Sequence, residues 1–202
     1  PAVIHGHHRH TWRETYERTR RLASALGKHN IKAHDTVAVL APNTPAIYEA
    51  SFGVPMAGAV LNTINTRLDA ATIAFILEHG EAKALITDKS LSMVAKTALA
   101  TLKQPPLVID INDDLETSGE LIGDITYEAL LDEGDPDFDW SSPQTLQHPI
   151  PAANGLFTAR ALAKLYAALL GPVEGSPRLL SPETLGRATR IQNRRLDLVI
   201  PV

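Results

Sequence analysis

Polar and apolar positions alternate around Gly6 across Pro1–His10, which predicts a short hairpin. Thr11 and Glu14 then stand at capping-box spacing, and Trp12, Tyr16, Thr19, Leu22, Ala23 and Leu26 recur with a helical period. That places the apolar residues, Trp12 and Tyr16 included, on a core-facing side and the arginines opposite. Asn30 ends the helix as a left-handed stop. The compact apolar run Thr36–Leu40 reads as a buried strand closed by Pro42-Asn43, and a helix over about 45–57 follows, interrupted at Pro55. Residues 59–61 form a second strand, and Asp69 caps a helix through Ile73, Ile76 and Leu77 that Gly80 stops. Residues 82–87 give a third strand, 91–102 a third helix of this alternating series, and 107–111 a fourth strand.

Strands alternating with helices of this length imply βαβ units. The expected fold class is α/β: an incomplete, doubly wound, mainly parallel sheet of about four strands with flanking helices. Residues 112–140 read as acidic and irregular apart from a short helix near 127–131. After Trp140 the character changes. Residues 141–151 hold three prolines and no charge, an extended linker. Leu162, Leu165, Tyr166, Leu169 and Leu170 then form an apolar helical stripe ended by Gly171-Pro172. Ser181-Pro182-Glu183 starts another helix, and 196–200 reads as a strand, so the chain closes with a small helical piece ending in a strand.

Charge divides the chain at the same place. Residues 1–140 carry 12 Lys+Arg against 20 Asp+Glu, a balance of -8, whereas residues 141–202 carry 7 against 3, a balance of +4. No lysine or arginine lies between Lys103 and Arg160. No run of apolar residues is long enough for a membrane span. Cysteine is absent, which removes disulfides and thiolate chemistry, and no secretory signal pattern opens the chain. These features point to a cytoplasmic location.

Chemistry-bearing motifs are sparse. His5, His7, His8 and His10 are zinc-ligand types at short spacing, but no carboxylate lies near them in sequence, and they read as an exposed polar hairpin without metal. The carboxylates from Asp113 to Asp139 read as a solvated surface, since a catalytic acid needs burial or a close partner. Neither G-x-x-x-x-G-K-[ST] nor G-x-G-x-x-G occurs, and Gly27-Lys28 is followed by His29. S-x-x-K, G-x-S-x-G and K-T-G are missing as well. Arg187, Arg190, Arg194 and Arg195 have no interleaved aromatics, which argues against nucleic-acid binding.

Residues 1–140 resemble the N-terminal part of acyl-CoA synthetases of the adenylate-forming (AMP-binding) superfamily, and within it the medium-chain fatty acyl-CoA ligase branch. The resemblance rests on "HTWRETYERTRRLASAL", "DTVAVLAPNTPAIYEASFGVPMAGAVLNTINTRLDAATIAFILEHGEAKALITD", "PPLVIDI" and "EGDPDFDW" in that order. It implies a parent reaction in two steps. ATP and a fatty acid give an acyl-adenylate and pyrophosphate, and the CoA thiol then displaces AMP. That reaction needs a Ser/Thr/Gly-rich phosphate loop ending in Pro-Lys-Gly, a Glu for Mg²⁺, an Asp for the ribose and a mobile lysine. Here Ser141-Ser142-Pro143 follows "EGDPDFDW" instead, so no catalytic, cofactor-binding or metal residue is carried over and no cofactor is expected. Asn30 and His34 stand where the family pattern has glycines.

Residues from about 151 onward resemble instead a piece of the serine β-lactamase-like hydrolases of penicillin-binding-protein type, through "PAANGLFTARALAKLYAALLG" and "RLLSPETLGRATRIQ". That family's catalytic serine, lysine and tyrosine motifs are missing here. The expected organisation is therefore composite: an incomplete ligase subdomain over 1–140, then a linker and β-lactamase-like piece over 141–202. A gene fusion, a misassembled sequence or a decayed gene would each produce it. The function classes carried forward are an inactive ligase relative, a serine hydrolase or esterase fragment, and a non-catalytic nucleotide- or partner-binding module. Strands missing from the parent sheet would leave an open edge prone to self-association.

Overall fold

A computed structural model describes residues 2–139, 159–173 and 177–190, with only the backbone at 159–162. The chain divides into two compact units, Pro1–Gly155 and Leu156–Val202. The first begins with the hairpin, β1 (Val3–His5) and β2 (His8–His10), antiparallel about Gly6 at φ 55°. Next comes α1 (Trp12–Lys28), capped as its sequence specifies: Thr11 accepts from the Glu14 N–H and the Glu14 carboxylate accepts from the Thr11 N–H at 2.6 Å.

Strand and helix then alternate through β3 (Thr36–Leu40), α2 (Pro45–Met56), β4 (Val60–Thr63), α3 (Ala70–His79) and β5 (Ala82–Asp88). A 3₁₀ turn at Lys89–Leu91 leads into α4 (Ser92–Leu99), followed by β6 (Leu107–Ile111), β7 (Ile125–Thr126) and α5 (Tyr127–Glu133). The sheet has five strands in the order β4-β3-β5-β6-β7, all parallel. The fifth corrects the expected four. It is two residues long, in a polar stretch, and becomes a strand only by pairing Ile125 with Ile109 and Thr126 with Asp110. The helix expected over 91–102 is likewise shorter: it begins at Ser92, after the 3₁₀ turn, and ends at Leu99.

The pleat sends alternate residues to opposite faces. Val37, Val39, Ala84, Ile86 and Ile109 pack with Leu22 and Leu26 of α1, Ala50 and Val54 of α2, and Leu130 and Leu131 of α5. Ala38, Leu40 and Leu85 pack on the other side with Ile73 and Leu77 of α3 and Ala95 and Ala98 of α4. Each fully buried Leu or Ile contributes about 1.5–3 kcal/mol, so both layers are needed to hold the sheet. α1 and α2 approach closely at Gly53, where an added Cβ would lie 2.8 Å from Leu22 Cδ2 and 2.9 Å from the Thr19 carbonyl oxygen.

Two turns confirm that glycine-type geometry is needed where this chain has none: Asn30 sits at φ 62° and His34 at φ 73°. Trp12 and Tyr16, expected in the core, are 69% and 46% exposed. They border a shallow groove with Tyr48, Phe52 and Met56, while α1 buries Thr15, Thr19, Leu22, Ala23, Ala25 and Leu26 instead.

The second unit contains α6 (Ala159–Leu170) and α7 (Pro182–Ala188). Ser181 caps α7 by accepting from the Thr184 N–H at 3.0 Å. The α6 stripe is little covered: Leu165, Tyr166 and Leu170 are exposed and Leu169 is half-buried, while the buried residue of the helix is Ala168. The linker over 141–151 and the strand over 196–200 lie outside the described residues. Among the described residues, no helix is long and apolar enough to cross a membrane.

Candidate functional site

The strand order reads 2-1-3-4-5 in chain sequence, so the winding reverses between β3 and β5. Open parallel sheets take ligands beyond their strand carboxyl ends near such a reversal. On this edge lies a cavity of about 420 Å³. Thr44, Pro45 and Ala46 line it after β3, Asn112, Asp113 and Asp114 after β6, and Tyr127 and Glu128 after β7. The hairpin supplies His5, His8 and His10, and α1 supplies Arg18. A larger neighbouring cavity of about 530 Å³ between the hairpin and α2 is lined mainly by apolar and hydroxyl groups.

Beneath the first cavity lies a buried ionic network. Glu49 of α2 is fully buried, and Arg18 Nε donates to its Oε1 at 2.7 Å. The other edge of the same guanidinium donates twice to Glu128, at 2.9 and 2.6 Å. Tyr127 donates its hydroxyl to Glu49 Oε2 at 3.1 Å, and His10 Nδ1 stands 3.7 Å from Glu49 Oε1. Burial pushes the Glu49 carboxyl above its ordinary range despite Arg18 and Tyr127. Arg18 hydrogen bonding pulls Glu128 below its range. Burial works against charge on Arg18, but Glu128 and Glu49 outweigh it and raise its pKa further. Burial, with Glu49 nearby, also raises Tyr127 well above 10.

Glu49 has no exposed face, and its hydrogen bonds to Arg18 and Tyr127 tie α1, α2 and α5 together beneath the cavity. A signal for it lies in the sequence: Ala46, Glu49, Ala50 and Gly53 share one buried helical face, and an acid there must be paired. Arg18 is the counterpart correction, since it turns inward rather than to the solvated side of α1.

The hairpin histidines also have carboxylate partners, contrary to expectation from sequence proximity. His5 Nε2 lies 2.7 Å from Asp113 Oδ2, His8 Nε2 2.8 Å from Asp114 Oδ1, and His7 Nε2 3.2 Å from Asp114 Oδ2. The rest of the acidic run is largely exposed, as its polarity implies. At the strand ends, Thr44 Oγ1, Thr87 Oγ1, Asp88 Oδ2 and Asp110 Oδ1 are buried without a hydrogen-bond partner among the described residues. Burial raises the Asp110 carboxyl even though its Oδ2 accepts from the Gly123 N–H at 2.6 Å.

Fold and edge together define a doubly wound α/β module with a polar cavity at its ligand-binding side. The chain belongs to the AMP-binding enzyme family, whose profile matches residues 1–154. It is 47% identical to an acetate–CoA ligase of Humulus lupulus over 155 residues, covering 71% of this chain and 27% of that protein. A peroxisomal benzoate–CoA ligase of Arabidopsis thaliana is 44% identical over 142 residues, covering 67% and 24%. Among solved structures, a benzoate CoA ligase from Burkholderia xenovorans LB400 aligns at 28% identity with a TM-score of 0.55, covering 63% of this chain and 24% of that one. An anthranilate CoA ligase in complex with anthranoyl-AMP shares the fold at 18% identity and a TM-score of 0.60, covering 67% and 25%. The chain spans about a quarter of the length of the curated relatives it matches.

Proposed function

We propose that residues 1–140 are an incomplete N-terminal subdomain of the acyl-CoA ligase type, and that the 202-residue chain by itself catalyses neither adenylation nor thioester formation. The observation that carries this reading is Ser141-Ser142-Pro143, which stands after "EGDPDFDW" where the resemblance implies a phosphate loop ending in Pro-Lys-Gly. Without that loop the chain has no cradle for the ATP phosphates, and it contributes no catalytic residue, cofactor ligand or Mg²⁺ ligand to the reaction. Fatty acid, ATP and CoA are the substrates of the proposed parent enzyme, with a medium-chain acid favoured by the resemblance. Relatives named for acetate, butyrate and benzoate widen the panel to be tested.

ATP–pyrophosphate exchange with acetate, butyrate, benzoate and medium-chain fatty acids tests this directly. The expected result is no exchange above an empty-vector control; exchange with any acid overturns the inactivity. A melting shift with ATP or AMP but no exchange would favour a nucleotide-binding module instead.

Residues 141–202 are proposed to be a linker and β-lactamase-like piece, a reading supported by the helix pair α6 and α7 within its two resemblance segments. Neither nitrocefin nor p-nitrophenyl butyrate should be hydrolysed, since S-x-x-K is missing. Uninterrupted genomic sequence across the codons for residues 140–142 would establish the junction. A cytoplasmic location is proposed from the absence of cysteine. Several relatives are named as peroxisomal, so peroxisomal fluorescence of a tagged full chain is the result that would overturn it.

A further inference from the structure

The hairpin places His5, His7, His8 and His10 within six residues, and folding brings to its tip two aspartates from more than a hundred positions away. We propose that His7, His8 and Asp114 bind a divalent transition-metal ion of the zinc type, which clamps the hairpin to the loop after β6.

The donor geometry is close to what such an ion needs. Four-coordinate zinc has ligand bonds of about 2.0–2.2 Å, which puts neighbouring donors roughly 3.3 Å apart. Here His8 Nε2 and His7 Nε2 lie 2.8 and 3.2 Å from the two oxygens of one carboxylate, and the three donors fall within 4.8 Å of one another. The imidazole rings stand side by side, with centroids 4.2 Å apart. Small outward shifts of these side chains admit an ion between them. Each imidazole then gives Nε2 to the metal and keeps its proton on Nδ1.

Three contacts hold the ligands in place before any ion arrives. Gly6 makes the turn at φ 55°, and a Cβ there would strike Leu115 Cδ1, so the turn is seated directly on the Asp113–Leu115 loop. That loop is set by the Leu115 N–H donating to Asp113 Oδ1 at 2.9 Å, and the next pair inward, His5 with Asp113, is closed at 2.7 Å. Of the nearby charges opposed to a cation, Arg9 donates its Nη1 to the carbonyls of Gly6 and His8 at 2.6 and 2.8 Å and so fixes the turn, Lys89 donates to Asn112 Oδ1 at 3.0 Å, and Arg18 is held by Glu49 and Glu128. His7, His8 and Asp114 are all substantially exposed, which leaves entry open and the remaining coordination positions to water.

Two imidazoles and one carboxylate favour zinc, nickel or copper over magnesium and calcium, which prefer oxygen donors throughout. The site is therefore independent of the Mg²⁺ used by the proposed parent ligase, and it stands whether or not that functional reading does.

Zn²⁺ titrated into the full chain by calorimetry should bind at one equivalent, Mg²⁺ should not bind there, and Co²⁺ should acquire visible d–d absorption. His7→Gln and Asp114→Asn should each weaken Zn²⁺ binding by about tenfold or more. His29→Gln, which removes a histidine paired with Glu133 at 2.8 Å but without a second imidazole, should leave it unchanged. Zn²⁺ should also slow hydrogen exchange at 3–10 and 112–115 together in the parent chain and not in His7→Gln. Absence of binding, or equal affinity in the His7→Gln/Asp114→Asn double variant, overturns the proposal. So does an equal loss in His29→Gln, which would mean that Zn²⁺ is held by scattered surface histidines.

Discussion

Two clusters join the N-terminal elements to the chain beyond β6 through carboxylates and their partners, and they do so in opposite surroundings. Around Glu49 the carboxylate is fully buried and served by Arg18 and Tyr127. At the hairpin tip Asp114 faces solvent between His7 and His8. The Glu49 carboxyl is pushed up because burial outweighs its cation. Asp114 is pulled down, chiefly by its hydrogen bond to His8. Glu128 shows that the cation does not set the sign: it shares Arg18 with Glu49 yet is pulled down. Surroundings decide whether a paired carboxylate is costly to maintain or merely comfortable, and cost is what makes the loss of a partner severe.

The most severe disruption should come from the buried cluster. Arg18→Leu leaves Glu49 without its cation inside the fold, and chemical denaturation should show a loss of about 3–5 kcal/mol. Arg18→Leu combined with Glu49→Leu should recover most of it, because the second change removes the stranded charge. If the double variant is as unstable as the single, Glu49 is not the origin of the loss and the contrast between the clusters fails.

Why this contrast was hidden, while the fold class was legible, follows from the range of the interactions. The Thr11 cap, the Asp69 cap and the alternating strands are set by neighbours a few residues apart, and the chain carries them in its periodicity. Arg18 meets Glu49 across 31 positions and Glu128 across 110, separations on which helical period is silent. The same holds for His5 with Asp113, and for β7, whose existence depends on pairing with β6. Amphipathicity tells which residues share a helix side but not how far a partner extends over it. Trp12 and Tyr16 share a side of α1 with Thr19, and α1 buries Thr19 while leaving both aromatics partly in solvent.

A titration sharpens the comparison at intermediate scale. From the ordinary Glu value of 4.5 up to the raised value of Glu49, the folded chain holds more protons than the unfolded one. Stability from this group is thus lost as pH rises through that window, at no more than about 1.4 kcal/mol per pH unit. Glu128 has the opposite sign: its contribution is present above 4.5 and is lost as pH falls through its lowered value. Glu49→Gln should therefore become more stable relative to the parent as pH increases above 4.5, measured as urea midpoints across a pH series. A constant difference would show that burial of Glu49 costs nothing that titrates.

A smaller change, placed in neither cluster, separates backbone effects from charge. His34 holds φ 73° while its N–H donates to the Gly58 carbonyl at 2.9 Å. Glycine relieves the left-handed strain at some cost in unfolded-chain entropy, leaving a net gain of up to about 1 kcal/mol. His34→Gly should raise the melting temperature, and an unchanged or lowered value would show that the left-handed turn stores no strain. Asn30→Gly, at φ 62°, should gain less because asparagine tolerates that region better.

The least effect is expected at the exposed cluster, where the expectation is close to none. Asp114 accepts from or pairs with two histidines at 2.8 and 3.2 Å, but water solvates all three groups when the contact is broken. Added salt screens them further, to a Debye length of about 3 Å at 1 M. Asp114→Asn should therefore leave the metal-free melting temperature unchanged within error, at low and at high salt alike. Adding Zn²⁺ should then separate the two proteins, raising the melting temperature of the parent chain and not that of the variant. A marked drop in the metal-free variant would instead mean that solvent-exposed pairing at the hairpin contributes as buried pairing does at Glu49, and the distinction between the clusters would collapse.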